Sequence, residues 1–356
     1  MVNILTRLTL QHFRSFSSKS LELHPGLNFI IGPNAQGKTS LLEAACVLLR
    51  LKSPLTHTLT EAIRFGEEAF FLAGSYGGKE LSMRFSPGEK VKRLLQIDDV
   101  TQQETTDYLS TGCIVWFGSD DREIINGPGE RRRRFLDSAG LQLSNDYRKH
   151  LKFYEKALRS RNLVLRKQRP RREVEAYNSI LIENGDALMN LRAHLCKALA
   201  PQAAQACHSI SQEKLMLHYQ PGASMTMREA LENSLAKEIE LGMTLVGPHR
   251  DELLIRLNDI PTATFGSEGQ RRTVALSLKL GLANLLHQEK LTPPLLLLDD
   301  VFGELDPERR SALLAGLPLE AQALLTTTDM EGIELPQTTT THFFALKDEI
   351  SELSLF

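Results

Sequence analysis

The chain has 356 residues, 42% of them hydrophobic and 24% charged, with a formal net charge of −2, the balance of an ordinary globular protein long enough for two compact units. No run of about 18 or more apolar residues occurs, and polar residues come too early near Met1 for a secretory h-region, which argues against a membrane span or export and for a cytoplasmic protein. Cys46, Cys113, Cys196 and Cys207 lie far apart without C-x-x-C spacing, so a thiolate zinc site or disulfide framework is not expected.

The first thirty residues alternate apolar and polar positions around Leu8, Leu10, Leu21 and Leu23, which predicts strands joined by a turn over His12, Phe13, Arg14, Ser15 and Phe16. Arg14 could reach a phosphate in cis or be a solvated turn residue. The stretch Gly32, Pro33, Asn34, Ala35, Gln36, Gly37, Lys38, Thr39, Ser40 then fits the phosphate-cradling pattern G-x-x-x-x-G-K-[ST]. An apolar run, Leu27 to Ile31, precedes it as a buried strand, and Leu41 to Leu49 follows as a helix whose N-terminus faces the phosphates. In this reading Lys38 reaches the β- and γ-phosphates and the Thr39 hydroxyl takes Mg²⁺.

Between Phe70 and Ile97, β-like runs broken by Gly77-Gly78 and by Ser86-Pro87-Gly88 predict antiparallel hairpins. After Gly127-Pro128-Gly129 the composition changes. From Arg131 to Arg172 fifteen Lys or Arg face three acids, a block of +12 that leaves −14 for the remainder. Such a concentration is the footprint expected of a phosphate-rich partner, with a solvated basic face as the bland alternative. The candidate DNA contacts are Arg131, Arg132, Arg133, Arg134, Lys152, Arg159, Arg169, Arg171 and Arg172. Apolar residues at 147, 151, 154, 158 and 165, and again at 174, 177, 181, 188, 191 and 195, step by threes and fours with polar breaks at 161 and 184. They predict an antiparallel helical hairpin whose tip, residues 167 to 172, is basic and contains the helix-stopping Pro170. Thr244 to Leu257 reads as strand, turn and strand, with His249, Arg250 and Asp251 either a structural network or turned to the nucleotide.

Ser267, Gly269 and Gln270 open a helix and offer a second anion-binding surface. Because Lys38 and Asp299 already complete one phosphate site, this surface is expected to meet the γ-phosphate held by another subunit. Four leucines, Leu295 to Leu298, then lead into Asp299 and Asp300, a strand buried on both faces with two carboxylates at its end. Asp299 would hold Mg²⁺ with Thr39, and Asp300 would orient or deprotonate the attacking water.

This order of motifs, with Glu304-Leu305-Asp306 after the acidic strand and Thr326-Thr327-Thr328 after the next, resembles the ATP-binding-cassette ATPases with an inserted arm, such as the structural-maintenance-of-chromosomes and Rad50 proteins. The match is closest to the RecF family of recombination mediators. It is carried by Gly32 to Thr39, Gly127 to Asp137, Gly247 to Asp251, Ser267 to Arg272 and Leu297 to Asp306. The resemblance implies an α/β fold: a P-loop ATP-binding-cassette lobe of mixed parallel and antiparallel sheets, formed by residues 1–120 and 236–356, with an inserted, mainly helical basic lobe at 121–235. It further implies a slow, Mg²⁺-dependent and DNA-responsive ATPase that forms a homodimer on ATP, binds double-stranded or gapped DNA, and works with RecR and RecO to load RecA. Departures from the family pattern are Gly127-Pro128-Gly129, Ser119, Gly303 and Glu268, the last a carboxylate that would oppose dimer closure if it pointed at a partner's phosphate. Two further readings stay open: a DNA-binding clamp that uses ATP only as dimer glue, and a divergent ATPase of another DNA-related pathway.

Overall fold

A computed structural model of the chain describes residues 3–88, 92–318, 320–335, 339–346 and 350–353. In chain order they form strands β1 (Leu5–Phe13), β2 (Phe16–Glu22) and β3 (Leu27–Ile31), helix α1 (Lys38–Arg50), strands β4 (Phe70–Tyr76), β5 (Lys79–Ser86), β6 (Lys92–Ile97) and β7 (Val100–Thr101), helix α2 (Thr105–Thr111) and strand β8 (Ile114–Phe117). There follow α3 (Glu123–Asn126), α4 (Gly129–Leu143), α5 (Asn145–Arg166), α6 (Arg171–Glu175), α7 (Asn178–Ser211), β9 (Leu215–Gln220), α8 (Met227–Leu241), β10 (Glu252–Leu257), β11 (Ile260–Pro261) and α9 (Thr262–Phe265). The last elements are α10 (Glu268–Lys290), β12 (Leu295–Asp299), α11 (Pro307–Ala315), β13 (Ala323–Thr327), β14 (Thr341–Leu346) and β15 (Ile350–Leu353).

These elements make two compact units. The first comprises Met1–Ser119, Ser209–Ser211 and Lys279–Phe356, the second Asp120–His208 and Gln212–Leu278. The stretch 236–278, expected with the ATPase lobe, thus belongs to the second unit. The cause is β10, whose ladder runs from Glu252↔Gln220 to Leu257↔Leu215 along β9.

In the first unit the early strands and the later hairpins join as one antiparallel sheet in the order β2-β1-β4-β5-β6-β7. The β4–β5 hairpin closes on Gly77 and Gly78, at φ +58° and +78°, the two left-handed positions a tight hairpin needs. A second sheet runs β15-β14-β3-β13-β12-β8, with β14, β3, β13, β12 and β8 parallel and only β15 reversed. Helix α1 touches strands of both sheets, β1, β4 and β5 on one side and β8, β12 and β13 on the other. That position explains its unbroken burial from Leu41 to Leu49. A helix covered all round has no need of a polar face.

In the second unit α5 and α7 form the expected antiparallel hairpin, linked by Arg192–Tyr147, His150–Asn184 and Arg161–Asn178 hydrogen bonds. Ser144 caps α5 by accepting the Tyr147 N–H, and Pro170 precedes α6. Helix α8 completes the apolar cluster through Met227, Ala230 and Leu231. Both polar breaks in the predicted seams have partners: Arg161, fully buried, reaches Glu238 at 2.6 Å and Thr244 at 2.7 Å, and Asn184 meets His150. Thr244 to Gly247 is not the strand the sequence predicted. The Thr244 N–H donates to Asn162 Oδ1 and the Leu245 N–H to Glu238 Oε1, so side chains occupy the donors a ladder would use.

Candidate nucleotide site

The phosphate loop joins the C-terminal end of β3 to α1. Gly37 sits at φ +92°, and a Cβ there would lie 2.7 Å from the Phe16 ring; Gly32 is confined by the Leu346 carbonyl, 2.4 Å from where its Cβ would be. Both glycines are therefore required by close approach, and Gly37 also by backbone sign. The buried Lys38 folds back, its Nζ donating to Gly32 O at 2.6 Å and Pro33 O at 2.9 Å. Burial holds its pKa below the usual lysine value, opposed by the Asp300 and Asp299 charges.

Asp299 stands at the end of β12, and β13 lies between that strand and β3. The gap is bridged by side chains: Thr39 Oγ1 donates to Asp299 Oδ1 at 2.8 Å, and Thr326 Oγ1, on β13, donates to the same oxygen at 2.9 Å. Burial raises the Asp299 pKa, with the Thr39 and Thr326 hydrogen bonds pulling it down. A half-buried carboxylate beside a threonine hydroxyl is a hard-oxygen pair suited to Mg²⁺, whose charge would offset that desolvation. Asp300 is exposed, donates its N–H to Thr326 Oγ1, and has a left-handed backbone at φ +50°.

A cleft of about 470 Å³ opens over these groups, lined by Arg14, Ser15, Asn34, Ala35, Gly37, Lys38, Thr39, Ser40, Glu61, Ile63, Asp300 and Thr326. Arg14, Ala35 and Asp300 have φ of +54°, +65° and +50°. For residues with a Cβ such backbones cost about 1–3 kcal/mol each and persist only where the surroundings enforce them, as at binding sites. Gln36 is exposed on the loop, and Gly32 and Pro33 act through the carbonyls that hold Lys38.

Both readings of Arg14 from the sequence were incomplete. Its side chain lines the cleft, yet its Nε and Nη2 are spent on Glu43 at 2.7 and 2.6 Å and its Nη1 on Glu61 O at 2.8 Å. Glu43 is fully buried on α1 and also accepts from Ser53 Oγ. The signal for it was visible as a lone carboxylate inside the apolar run Leu41 to Leu49. Ser15, Glu61, Ile63 and Thr326 join the cleft without having been assigned to it.

Ser267, Gly269 and Gln270 belong to the second unit and do not line this cleft. Ser267 and Gln270 form a reciprocal cap: the Gln270 N–H donates to Ser267 Oγ at 3.2 Å and the Ser267 N–H to Gln270 Oε1 at 2.9 Å. Glu268 is balanced by Arg122 at 3.6 Å and Arg272 at 3.5 Å. His249 and Asp251 are structural. His249 Nε2 lies 3.0 Å from Thr244 O, so it carries the proton and leaves Nδ1 to accept from Tyr154 Oη at 2.7 Å; burial pushes its pKa down to about 4. Asp251 is fully buried and accepts from Arg192, Tyr219 and the Gly222 N–H. Arg250 is exposed beside them.

The basic block is less free than its charge suggests. Arg131 pairs with Glu123, Arg134 with Glu130, Arg159 with Glu155, Arg169 with Glu173 and Arg171 with Glu175. Arg132 is not a surface contact: its fork closes on Glu252 and its side chain is 14% exposed. Arg133 donates to Asp251 O. Among the described residues Lys149, Lys152, Lys156, Arg166, Lys167 and Arg172 are exposed without an ion-pair partner. Lys149, Lys152, Lys156, Arg159 and Arg166 recur at helical spacing along α5 and form one stripe.

A family model described as an AAA domain matches residues 7–178. The chain is 34% identical to the DNA replication and repair protein RecF of Staphylococcus carnosus, over 93% of this chain and 94% of that one, and equally to RecF of Lacticaseibacillus casei. It superposes on a solved structure of the recombination mediator RecF with ATP, from the RecFOR pathway, with a TM-score of 0.89 at 28% identity, covering 99% of this chain and 98% of that one. A likeness to the Smc head domain of Pyrococcus furiosus, TM-score 0.57 at 14% identity and covering 98% of this chain and 96% of that one, shows the shared ATPase-head fold.

Proposed function

Because the chain belongs to the RecF family of DNA replication and repair proteins, we propose that it is an ATP-dependent switch on DNA: it binds ATP and Mg²⁺, closes into a homodimer, hydrolyses ATP slowly, and acts on double-stranded DNA near gaps with RecR- and RecO-like partners to load RecA. The observation that carries this reading is the contact between Thr39 Oγ1 and Asp299 Oδ1. It joins residues 260 positions apart, which supports reading them as the two halves of one nucleoside-triphosphatase site.

Lys38 already presents its ammonium to two loop carbonyls, so phosphate oxygens would replace acceptors rather than recruit a distant side chain. The α1 N-terminus adds N–H donors and its dipole. Thr39 and Asp299 would hold Mg²⁺, which neutralises developing charge on the phosphates when bound. Asp300, the exposed carboxylate of the pair, lines the cleft, which supports a role in accepting a proton from water. In the second unit, the cap at Ser267 leaves the serine O–H and the Glu268 and Gly269 N–H groups for an anion, and Glu268 is compensated by two arginines. This supports closure on a partner's γ-phosphate. For DNA, Lys149, Lys152, Lys156 and Arg166 of the α5 stripe supply an unpaired basic surface suited to a phosphate backbone.

ATP turnover measured with and without duplex DNA, in the wild-type chain and in Asp300→Asn, tests the proposal. Slow turnover raised by DNA and lost in the variant is expected. Turnover unchanged in the variant removes Asp300 as the base. A stable ATP dimer without turnover in the wild type favours the clamp that uses ATP as glue.

A further inference from the structure

We propose that Phe153 is a stacking platform for an unpaired DNA base and makes α5 prefer gapped to continuous duplex DNA, an inference that rests on the DNA-binding reading above. Phe153 lies on α5 four residues after Lys149, one after Lys152 and three before Lys156. In a helix, residues three and four apart are surface neighbours, so 149, 152, 153 and 156 are the corners of one patch. All four residues are exposed, Phe153 by 47%. Among the described residues the three lysines have no ion-pair partner, and Glu155, on the same helix, is engaged by Arg159.

The apolar core of the arm does not account for this ring. The cluster that α5 makes with α7 and α8 takes Tyr147, Leu151, Tyr154, Ala157 and Leu158 from α5, and Phe153 is not among its members. The seam is complete without it, and a phenyl group stands on the charged face instead. A lone exposed phenyl needs no partner. One enclosed by three free cations fits a ligand that is anionic and also offers a flat apolar face. Every nucleotide combines the two, as phosphate and base. An acidic protein surface would answer the lysines and leave the ring without a counterpart.

Access to the base decides which form of DNA the patch selects. In a continuous duplex the base faces are covered by their neighbours, and a helix lying on the backbone meets phosphates and sugars. At a gap the exposed strand offers base faces to an aromatic ring, and stacking of this kind tolerates any sequence. A helical rise of about 1.5 Å per residue puts Lys149 and Lys156 about 10 Å apart along α5 with Phe153 between them. Their ammonium groups can therefore take the phosphates on either side of the stacked nucleotide. Phosphate contacts supply affinity for every DNA, and the ring adds to it only where a base is free.

The test is equilibrium binding of the full chain, read by fluorescence anisotropy with ATP and Mg²⁺ present. The labelled DNAs are a continuous duplex, the same duplex with a gap of a few nucleotides, and that gapped duplex with abasic sites opposite the gap. The wild type is expected to bind the gapped DNA more tightly than either of the others. Phe153→Ala should lose about fivefold to a hundredfold on gapped DNA and little on the duplex, and Phe153→Trp should keep the preference. Because Phe153 is outside the apolar cluster, both variants are expected to keep the wild-type circular dichroism and ATP affinity. Equal wild-type affinity for the gapped and abasic DNAs, or a Phe153→Ala variant with the wild-type preference, overturns the stacking proposal while leaving DNA binding in place. Wild-type binding to none of the DNAs, or affinities unmoved in a Lys149→Glu, Lys152→Glu, Lys156→Glu variant, overturns the DNA reading of this face and the proposal with it, and assigns the stripe to an acidic protein surface.

Discussion

Replacing Glu43 by Gln removes the carboxylate onto which Arg14 forks in the wall of the cleft while nearly preserving the packing of α1. The carboxylate is fully buried and accepts from Arg14 Nε at 2.7 Å, Arg14 Nη2 at 2.6 Å and Ser53 Oγ at 2.5 Å. An amide keeps one acceptor and turns the other into a donor facing a donor. Two unit charges about 4 Å apart at an effective dielectric near 20 attract by about 4 kcal/mol. Arg14 is 23% exposed, so water recovers part of that, and the expected loss of folding stability is about 2 kcal/mol. Urea unfolding should show a lower midpoint with an unchanged slope, and ATP affinity should fall several-fold as Arg14 leaves its left-handed pose. Arg14→Lys should be similar, because an ammonium cannot fork onto the carboxylate. The double variant should then lose less than the sum of the two. A loss under about 0.5 kcal/mol, or strict additivity, would refute the coupling.

Burial raises the Asp299 pKa above its ordinary 3.8, so the fold binds the proton more tightly than the unfolded chain does, and the ionised group costs stability as pH rises above that value. Asp299→Asn should leave the ligand-free chain at least as stable at neutral pH while abolishing Mg²⁺-dependent ATP binding; a lower Tm would contradict the sign. His249 runs oppositely, its pKa lowered from 6.5 to about 4. The stability of keeping it neutral is present above 6.5 and lost as pH falls toward 4, up to roughly 3 kcal/mol, and a His249→Gln variant whose stability kept the same pH slope would exclude it as the source. For DNA, reversing Lys149, Lys152 and Lys156 to Glu should weaken duplex binding and flatten its salt slope by about three. Reversing Arg169 and Arg171, already paired with Glu173 and Glu175, should do less, and the opposite order would move the contact to the tip.

The site was legible where chemistry is local in sequence. Gly32 to Ser40 and Leu295 to Asp300 carry their strand, loop and helix signals in adjacent residues, and the structure brings Thr39 and Asp299 into contact as those motifs imply. What was hidden depends on partners far along the chain. The bridging role of Thr326 follows from β13 entering between β3 and β12, which neither motif encodes. The block from Arg131 to Arg172 counted as +12 because Glu238 and Glu252, which neutralise Arg161 and Arg132, lie outside it, and because Glu173 and Glu175 begin just after its end. The strand expected at Thr244 failed for the same reason: its N–H groups are claimed by Asn162 and Glu238. The boundary at 235/236 missed the β9–β10 ladder, which ties Glu252–Leu257 to the second unit.

The central claim is that ATP held at Lys38 and Thr39 of one copy is closed upon by Ser267 of another. Light scattering on size-separated samples with no nucleotide, with ADP, and with ATP plus Mg²⁺ addresses it directly, alongside Lys38→Met and Ser267→Arg. The expected result is a dimer only for the wild type with ATP and Mg²⁺, with Ser267→Arg still binding ATP as a monomer and Lys38→Met not binding it at wild-type affinity. A wild-type chain that stays monomeric when saturated with ATP, or a Ser267→Arg variant that still dimerises, would contradict it.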